Sequence, residues 1–404
     1  MNAPHTIPHN VLALQRVASD PSVSAWVSAN AGSGKTHVLA QRVIRLLLQG
    51  TDPAKILCLT FTKAAAANMA NRVFTTLAKW ITLDDRELDR AIRDVGADGG
   101  SERRALARRL FACALETPGG LKIQTIHGFC ARLLQQFPFE AHVAARFRVL
   151  EDAQQQQLLE QLRLAVLLDA AGQPDSACGR ALAVAITAAS DLAFKDALSE
   201  AIKNRGLIEV FLAEAGGTER TSAALSRLFD IEPELSLERL EAEIVDGPYL
   251  PQSSWAAVAD VFSTGSNRDC EQGSRLRQAI SAFGSERVDA YLSLFVTSED
   301  LPRKWLITSP LARKHPELAS RLEQERERVL ALQTRRRAVA VRERTAALLT
   351  IADAVIRRYR AEKERRGLLD YDDLIDKTRS LLDRVDAAWV HYKLDLGIDH
   401  LLID

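Results

Sequence analysis

The stretch Ala29-Asn30-Ala31-Gly32-Ser33-Gly34-Lys35-Thr36 decides the fold class of this 404-residue chain. It follows residues 25–28, a short apolar run that predicts a strand, and it leads into residues 36–48, whose apolar positions recur with a helical period. Glycines between a strand and a helix let the backbone wrap around phosphate oxygens, so that consecutive N–H groups face the anion. The stretch therefore predicts a phosphate-binding loop, although Ala29 stands where the general pattern has its first glycine.

The end of this loop has the chemistry that binds a nucleoside triphosphate. Lys35 would reach the β- and γ-phosphates, and the Thr36 hydroxyl would hold Mg²⁺. Residues 29–36 together are the candidate ATP site. Kinases, GTPases, transporters and helicases all use such a loop, so the rest of the chain must decide between them.

Short strand and helix patterns alternate through the remainder of the first 150 residues. The patterns predict strands over residues 56–59 and 121–126, and helices over residues 11–18, 63–77 (with Thr62 as the cap) and 129–136. The polar, glycine-broken segment 82–120 predicts a helical insertion. Alternation of strands and helices is typical of a parallel sheet, so we expect an α/β fold.

From residue 151 to residue 366 the sequence is almost wholly helical in character. The last helix, over residues 317–366, is strongly basic, with a net charge of +7 between Arg321 and Arg366. Two interpretations stay open for it, a solvated helix surface and an arm that faces DNA. Residues 399–404 then predict a short strand that ends in Asp404.

Composition is ordinary for a soluble globular protein, with 47% hydrophobic and 26% charged residues. No apolar run approaches the roughly 18 residues that span a bilayer, and the amino terminus does not resemble a secretion signal. Five scattered cysteines without CxxC spacing predict reduced thiols in a cytoplasmic protein rather than a disulfide or zinc site. Because 53 basic residues balance 53 acidic ones, nucleic-acid contact would need a local groove.

Further segments stand in the order of the motifs of superfamily 1 DNA helicases. Residues 59–69, LTFTKAAAANM, with Arg72 after them, resemble the TFTxxAAxEMxxR segment of that superfamily. Residues 124–130, QTIHGFC, resemble its TxHxF segment, and residues 369–374, LDYDDL, resemble DFDDL. Gln15 stands 14 residues before Ala29, and residues 401–404, LLID, resemble the start of motif II. The chain thus resembles the UvrD/Rep/RecB group, and within it the AddA subunits of bacterial helicase–nucleases.

This resemblance implies an ATP-dependent DNA helicase and translocase that moves 3′–5′ and acts in double-strand-break repair by recombination. It implies an incomplete RecA-like parallel sheet, domain 1A, formed by residues 1–150 and 367–404. Residues 151–366 would form a large, mostly helical insertion, domain 1B. The implied cofactors are ATP and Mg²⁺, and the implied partners are single-stranded and duplex DNA and an AddB-like subunit, without a membrane.

The resemblance also implies roles for single residues. Lys35, Thr36 and Asp404 would be catalytic, with Thr36 and Asp404 holding Mg²⁺, while Gln15 would read the adenine. Ligands of open α/β sheets bind beyond the carboxyl ends of the strands, so ATP and DNA would be neighbours at one edge. Phe61 would stack on a base, and Thr60, Thr62, Thr125 and His127 would bind phosphates. By pattern alone Phe61 would be a core residue, Gln15 a solvated one and Asp404 an acid at a strand end.

Two positions depart from the family pattern, and one group of residues is simply a helix start. Asn68 stands where the family has a glutamate, which weakens the expected coupling of this helix to DNA, and His37 stands where relatives often have arginine. Asp372 and Asp373 are most simply the start of a helix after Gly367.

In the family, a glutamate after the position of Asp404 polarises the attacking water, and arginines of a second RecA-like domain stabilise the γ-phosphate. Residues 1–404 hold neither, nor a nuclease domain, so we expect negligible ATP hydrolysis and no unwinding by these residues alone. Two other functions stay open: a non-catalytic module that binds ATP and DNA, and a P-loop kinase for a small molecule, which would not need Phe61.

Overall fold

A computed structural model describes residues 9–28, 30, 32–299, 301–384 and 388–404, and it shows a mostly helical α/β chain with a small parallel sheet. The chain forms two compact units, one of residues 1–155 and 363–404 and the other of residues 156–362. The sequence placed the corresponding breaks after residues 150 and 366. The assignment of these units to domains 1A and 1B stays a prediction.

The helices and strands follow one another along the chain in the following order. The helices are α1 (His9–Ala18), α2 (Lys35–Leu48), α3 (Lys63–Thr82), α4 (Asp85–Asp94), α5 (Ser101–Glu116), α6 (Ile126–Gln136), α7 (Asp152–Gly172), α8 (Ala177–Ala188), α9 (Asp191–Lys203), α10 (Arg205–Ala215), α11 (Thr221–Leu228), α12 (Leu237–Val245), α13 (Trp255–Ser263), α14 (Asn267–Ser281), α15 (Gly284–Leu292), α16 (Ser309–Lys314), α17 (Pro316–Arg366), α18 (Tyr371–Asp383) and α19 (Ala388–Gly397). The strands are β1 (Ile56–Thr60), β2 (Lys122–Thr125), β3 (Arg148–Val149), β4 (Leu368–Leu369) and β5 (His400–Ile403).

The central sheet has the strand order β2-β1-β5, and both pairs are parallel. Strand β1 lies in the middle and its apolar run is buried, as a strand covered on both faces requires. Ile56 and Cys58 pack with Leu402 in a core formed by α2, α3, α4 and α5. Leu57 points to the opposite face and lines a cavity with residues of α6 and α19. The prediction of a parallel α/β sheet is therefore confirmed.

Residues 25–28, predicted to be a strand, are not one in the structure. The guanidinium of Arg42 on α2 donates hydrogen bonds to the carbonyl oxygens of Ala18, Asp20 and Val23, which hold the approach to this segment against the helix. Trp26 is 96% exposed. Among the described residues, β5 pairs only with β1, so a short apolar run here has no hydrogen-bonded neighbour. Local propensity alone cannot hold a strand without such a neighbour.

The second unit is helical and contains two apolar cores, both of which include residues of the 51-residue helix α17. None of the described helices is both long and apolar enough to cross a membrane.

The basic residues of α17 are largely occupied by carboxylates. Ion pairs with described acidic residues are formed by Arg326, Arg328, Arg335, Arg336, Arg342, Arg357, Arg358, Arg360 and Lys363. Charges that are paired within the protein add little to an external field. This pairing favours the interpretation of α17 as a structural helix over that of an arm that faces DNA.

Candidate functional site

Three of the predicted site residues lie at the carboxyl edge of the central sheet. Thr60 and Thr125 are register partners at the ends of β1 and β2. On the other side of β1, Leu59 pairs with Ile403, and the Asp404 amide donates a hydrogen bond to the Leu59 carbonyl oxygen at 2.9 Å. Because all three strands run in the same direction, the residues that follow them emerge together. This is the edge at which open α/β sheets bind their ligands.

The phosphate-binding loop has the backbone that its glycines were expected to allow. Gly34 has a φ of 90°, a left-handed conformation that costs other residues about 1–2 kcal/mol. A Cβ at Gly34 would also lie 3.0 Å from the Gln15 Nε2 atom. The Lys35 ammonium donates to the Asn30 carbonyl oxygen at 2.9 Å, which curls the loop over its own lysine. Ala29 and Ala31, two members of the predicted ATP site, lie outside the described residues.

Gln15 lies on the phosphate-binding loop although 18 residues separate it from the loop residue that it contacts. Its Nε2 atom donates to the Ser33 carbonyl oxygen at 3.3 Å. Sequence reasoning missed the residues that hold it there, Arg42 and Arg45 on α2. Arg45 donates from Nη1 to the Arg16 carbonyl oxygen at 2.9 Å and to Ser19 Oγ at 3.0 Å. The pair of arginines three residues apart on one helix face was the available signal.

Both departures from the family pattern, His37 and Asn68, line the same cavity. This cavity of about 750 Å³ lies between α2 and α3, and Thr36 and Arg72 also line it. Desolvation and, second, the Arg72 guanidinium lower the pKa of His37. Among the described residues, Arg72 forms no ion pair, and Asn68 supplies no charge four residues before it. The two substitutions are therefore related in space, and both reduce the formal charge around Arg72.

The turn after β1 exposes one aromatic ring and buries one hydroxyl. The Phe61 side chain is 75% exposed, so it is not the core residue that its pattern alone suggested. Thr62 caps α3, since its hydroxyl accepts a hydrogen bond from the Ala65 amide at 3.1 Å. Thr60 is fully buried and donates to the Thr62 carbonyl oxygen at 3.0 Å. Burial leaves the Thr60 hydroxyl without surface for a phosphate, so its expected contact is corrected to a role in shaping the turn.

The turn after β2 places His127 in the first turn of α6. Thr125 caps this helix, and its hydroxyl accepts from the Gly128 amide at 3.0 Å. The His127 ring is half-buried and lies against the Tyr371 ring of α18, with the ring centroids 4.8 Å apart. Helices α6 and α18 share an apolar core that contains Leu134 and Leu374. The two helix starts are therefore held side by side.

The LDYDDL segment forms the start of α18, as its simplest interpretation had it. Asp370 caps the helix by accepting from the Asp373 amide at 2.9 Å, and the Asp373 carboxylate accepts from the Asp370 amide at 2.9 Å. Lys363, in the last turn of α17, donates to both carboxylates, at 2.9 Å and 2.5 Å. Burial raises the pKa of Asp373, and the hydrogen bond from Lys363 acts in the opposite direction.

Comparisons with known proteins agree with this arrangement. The chain is 31% identical to the AddA-type subunit of the ATP-dependent helicase/nuclease from Lactobacillus acidophilus over 150 residues, which are 37% of this chain and 11% of that protein. The proteins of the same name from Limosilactobacillus fermentum and Latilactobacillus sakei are 34% and 36% identical over 39% and 33% of this chain, and 10% and 13% of their own length. The chain thus spans about a tenth of these curated relatives. Residues 10–404 match the model of the UvrD/REP helicase N-terminal domain, so the chain belongs to that family.

Proposed function

We propose that this chain is the N-terminal part of an ATP-dependent DNA helicase and translocase that moves 3′–5′ and acts in recombinational repair of double-strand breaks. Family membership and the names of the relatives support the helicase function. The observation that carries the proposal is the shared carboxyl edge of β1, β2 and β5, beside which Phe61 is exposed. An ATP site and a DNA site at one edge are what a motor needs, because a change at the nucleotide must reach the strand of DNA.

The residues of the loop and of the sheet edge fit a magnesium–ATP complex. The left-handed Gly32 and Gly34 leave the loop backbone open to phosphate oxygens, and Lys35 supplies the cation of the loop. Thr36 and Asp404 offer a hydroxyl and a carboxylate, the hard oxygen ligands that Mg²⁺ prefers. When bound, Mg²⁺ neutralises charge on the β- and γ-phosphates. Gln15 would bind the adenine while its amide stays in reach of the loop.

A single DNA strand would lie across the turns that follow β1 and β2. Phe61 would stack on a base, a contact that tolerates any sequence because every base has a π-face. Thr62, Thr125 and His127 would bind phosphates and position the strand without reading it. The half-buried His127 can offer only one part of its ring to the DNA, because Tyr371 covers the other part.

The wider assignments rest on the relatives. We propose that residues 1–155 and 363–404 form a RecA-like domain 1A and that residues 156–362 form domain 1B. The naming of the relatives as parts of a helicase/nuclease of several subunits supports an AddB-like partner and a cytoplasmic DNA repair complex as the setting. Duplex DNA would be the substrate ahead of the motor.

The experiment that tests the proposal compares Phe61→Ala with Phe139→Ala in binding to a fluorescent single-stranded oligonucleotide. Phe139 is a matched control, since it lies in the same unit, is 84% exposed and has no assigned role. Loss of a stacked aromatic ring costs about 1–3 kcal/mol per base, so Phe61→Ala should weaken binding by roughly 5-fold to 100-fold. Phe139→Ala should bind as the unchanged protein does. Equal affinities for all three proteins would overturn the DNA assignment.

The same measurements separate the two other candidate functions. A non-catalytic module would lose DNA binding with Phe61→Ala and would show no hydrolysis in any longer form of the protein. A small-molecule kinase would be indifferent to Phe61→Ala. The 75% exposure of Phe61 disfavours the kinase, because a lid or sheet edge without a stacking partner has no use for an exposed aromatic ring.

A further inference from the structure

The LDYDDL segment is the one motif to which the proposed function gives no task. Its two aspartates close a capping box, in which each carboxylate accepts the backbone N–H of the other residue. Its tyrosine, the first residue of α18, lies against His127. The segment therefore connects a buried polar cluster to a ring that we assign to DNA.

The polar cluster is more than a helix cap, because a lysine from another helix occupies its centre. The side chain of Lys363 is 8% exposed and that of Asp370 is fully buried. Lys363 Nζ contacts Asp370 Oδ2 and Asp373 Oδ2, the second of which also accepts from the Asp370 amide. A cap needs only the two aspartates. The buried cation adds a requirement of position, since charges removed from water are tolerated only in good geometry.

The cluster lies where the backbone has several ways to proceed. Helix α17 ends at Arg366, and Gly367 follows with a φ of 63°. Residues 368–369 then pair with β3 before α18 begins. An apolar junction at this point would tolerate small shifts of α18 along α6, whereas an ion cluster fits one register. Buried polar groups are known to specify register in this way in some proteins.

We propose that Lys363, together with Asp370 and Asp373, is a positioning unit for His127. The cluster fixes the first turn of α18, so the Tyr371 ring sets the orientation in which the His127 ring meets DNA. Lys363 acts through Tyr371 and touches no substrate. This inference rests on the proposed DNA contact of His127, and its first test does not depend on DNA.

The first test is the NMR signal of the His127 ring in the 404-residue chain, which the nearby Tyr371 ring shifts. Tyr371→Leu calibrates the shift, because it removes the ring and keeps an apolar side chain. Lys363→Met should move the His127 signal toward the position seen in Tyr371→Leu, and Lys363→Arg, which keeps the cation, should move it back toward that of the unchanged protein. A folded Lys363→Met protein with lower thermal stability and an unmoved His127 signal would show a purely structural cap and overturn the proposal.

Lys363→Met leaves two carboxylates without their cation and risks unfolding. A second variant combines Lys363→Met, Asp370→Asn and Asp373→Asn, which removes all three charges together and keeps the capping oxygens. It should fold and should also shift the His127 signal, since the cap remains while the centre of the cluster is lost. If its His127 signal stays at the position of the unchanged protein, the ion cluster does not position the ring.

The second test measures oligonucleotide affinity in a double-mutant cycle with His127→Ala. Lys363→Met should weaken binding by about threefold to tenfold in the unchanged background and by less than about twofold beside His127→Ala, as expected for residues in one network. Equal losses in the two backgrounds would overturn action through His127. If His127→Ala alone binds DNA normally, the proposed DNA contact fails, and the NMR result still decides the positioning of the ring.

Discussion

The side-chain amide of Gln15 donates a hydrogen bond to the backbone oxygen of Ser33, 3.3 Å away, and so joins α1 to the phosphate-binding loop. Arg45 holds the end of α1 by donating to the Arg16 carbonyl oxygen and to Ser19 Oγ. The glutamine therefore has a structural task in the loop in addition to the adenine contact proposed for it. The two tasks can be separated, because only the adenine contact depends on the base.

Gln15→Leu should weaken nucleotide binding by up to about tenfold, since a net hydrogen bond contributes about 0.5–1.5 kcal/mol. Calorimetric titration with ATP and with GTP checks this. A loss confined to ATP indicates that Gln15 reads the base, and an equal loss for both nucleotides indicates that it shapes the loop. Unchanged affinity for both would contradict both tasks.

Gly34→Ala should abolish most nucleotide binding while the chain stays folded. The left-handed backbone costs alanine about 1–2 kcal/mol, and the new Cβ would press on Gln15 Nε2 at 3.0 Å. Gly206→Ala is the control, because a Cβ there meets nothing within 4 Å and the residue lies in helix α10. Nucleotide affinity and thermal stability are measured for both. Equal affinities would show that the conformation of Gly34 does not matter to the loop.

Asn68→Glu should stabilise helix α3 by about 0.3–0.5 kcal/mol, because it places a carboxylate four residues before the exposed Arg72. The gain should shrink in high salt, which screens exposed charges. Urea unfolding at low and high salt is the measurement, with Asn71→Glu as the control. That variant adds the same charge at a neighbouring position that does not face Arg72 along the helix. If both variants gain equally, the pairing with Arg72 is not the cause.

Cys58 should resist alkylation at pH 8 until the protein unfolds, whereas the exposed Cys113 should react in the folded chain. Cys58 is 1% exposed, and burial raises the pKa of its thiol to about 12 from an ordinary value of 9.0. Because the folded pKa is the higher one, the stabilising contribution is complete below pH 9 and is lost as the pH rises toward 12. Mass spectrometry after timed alkylation checks the order of reaction. Early modification of Cys58 would contradict its burial.

Residues 1–404 alone should show negligible DNA-stimulated ATP hydrolysis, because they hold neither the family's water-polarising glutamate nor its arginine fingers. Phosphate release with and without single-stranded DNA is the measurement, and Lys35→Ala is the control for contaminating activity. Stimulated hydrolysis that disappears in Lys35→Ala would sink this expectation.

Local sequence patterns were sufficient for much of the fold. The helical period of α2, the buried run of β1 and the Thr62 cap of α3 each depend on neighbours within a few residues, and the structure confirms them. The resemblance to UvrD-type helicases and to AddA subunits is confirmed by the comparisons. Residues 25–28 failed as a predicted strand, since pairing depends on a distant partner that no local pattern contains.

The sequence by itself determined the phosphate-binding loop, the order of the motifs and the family, because these are carried by residue types at fixed spacing. Only the tertiary structure decided that the Thr60 hydroxyl is buried, that α17 engages its arginines in ion pairs, and that Lys363 lies between Asp370 and Asp373. The physical reason is that burial, ion pairing and ring contacts depend on which distant segments meet. That meeting is settled by the packing of the whole unit and not by the spacing of residues along the chain.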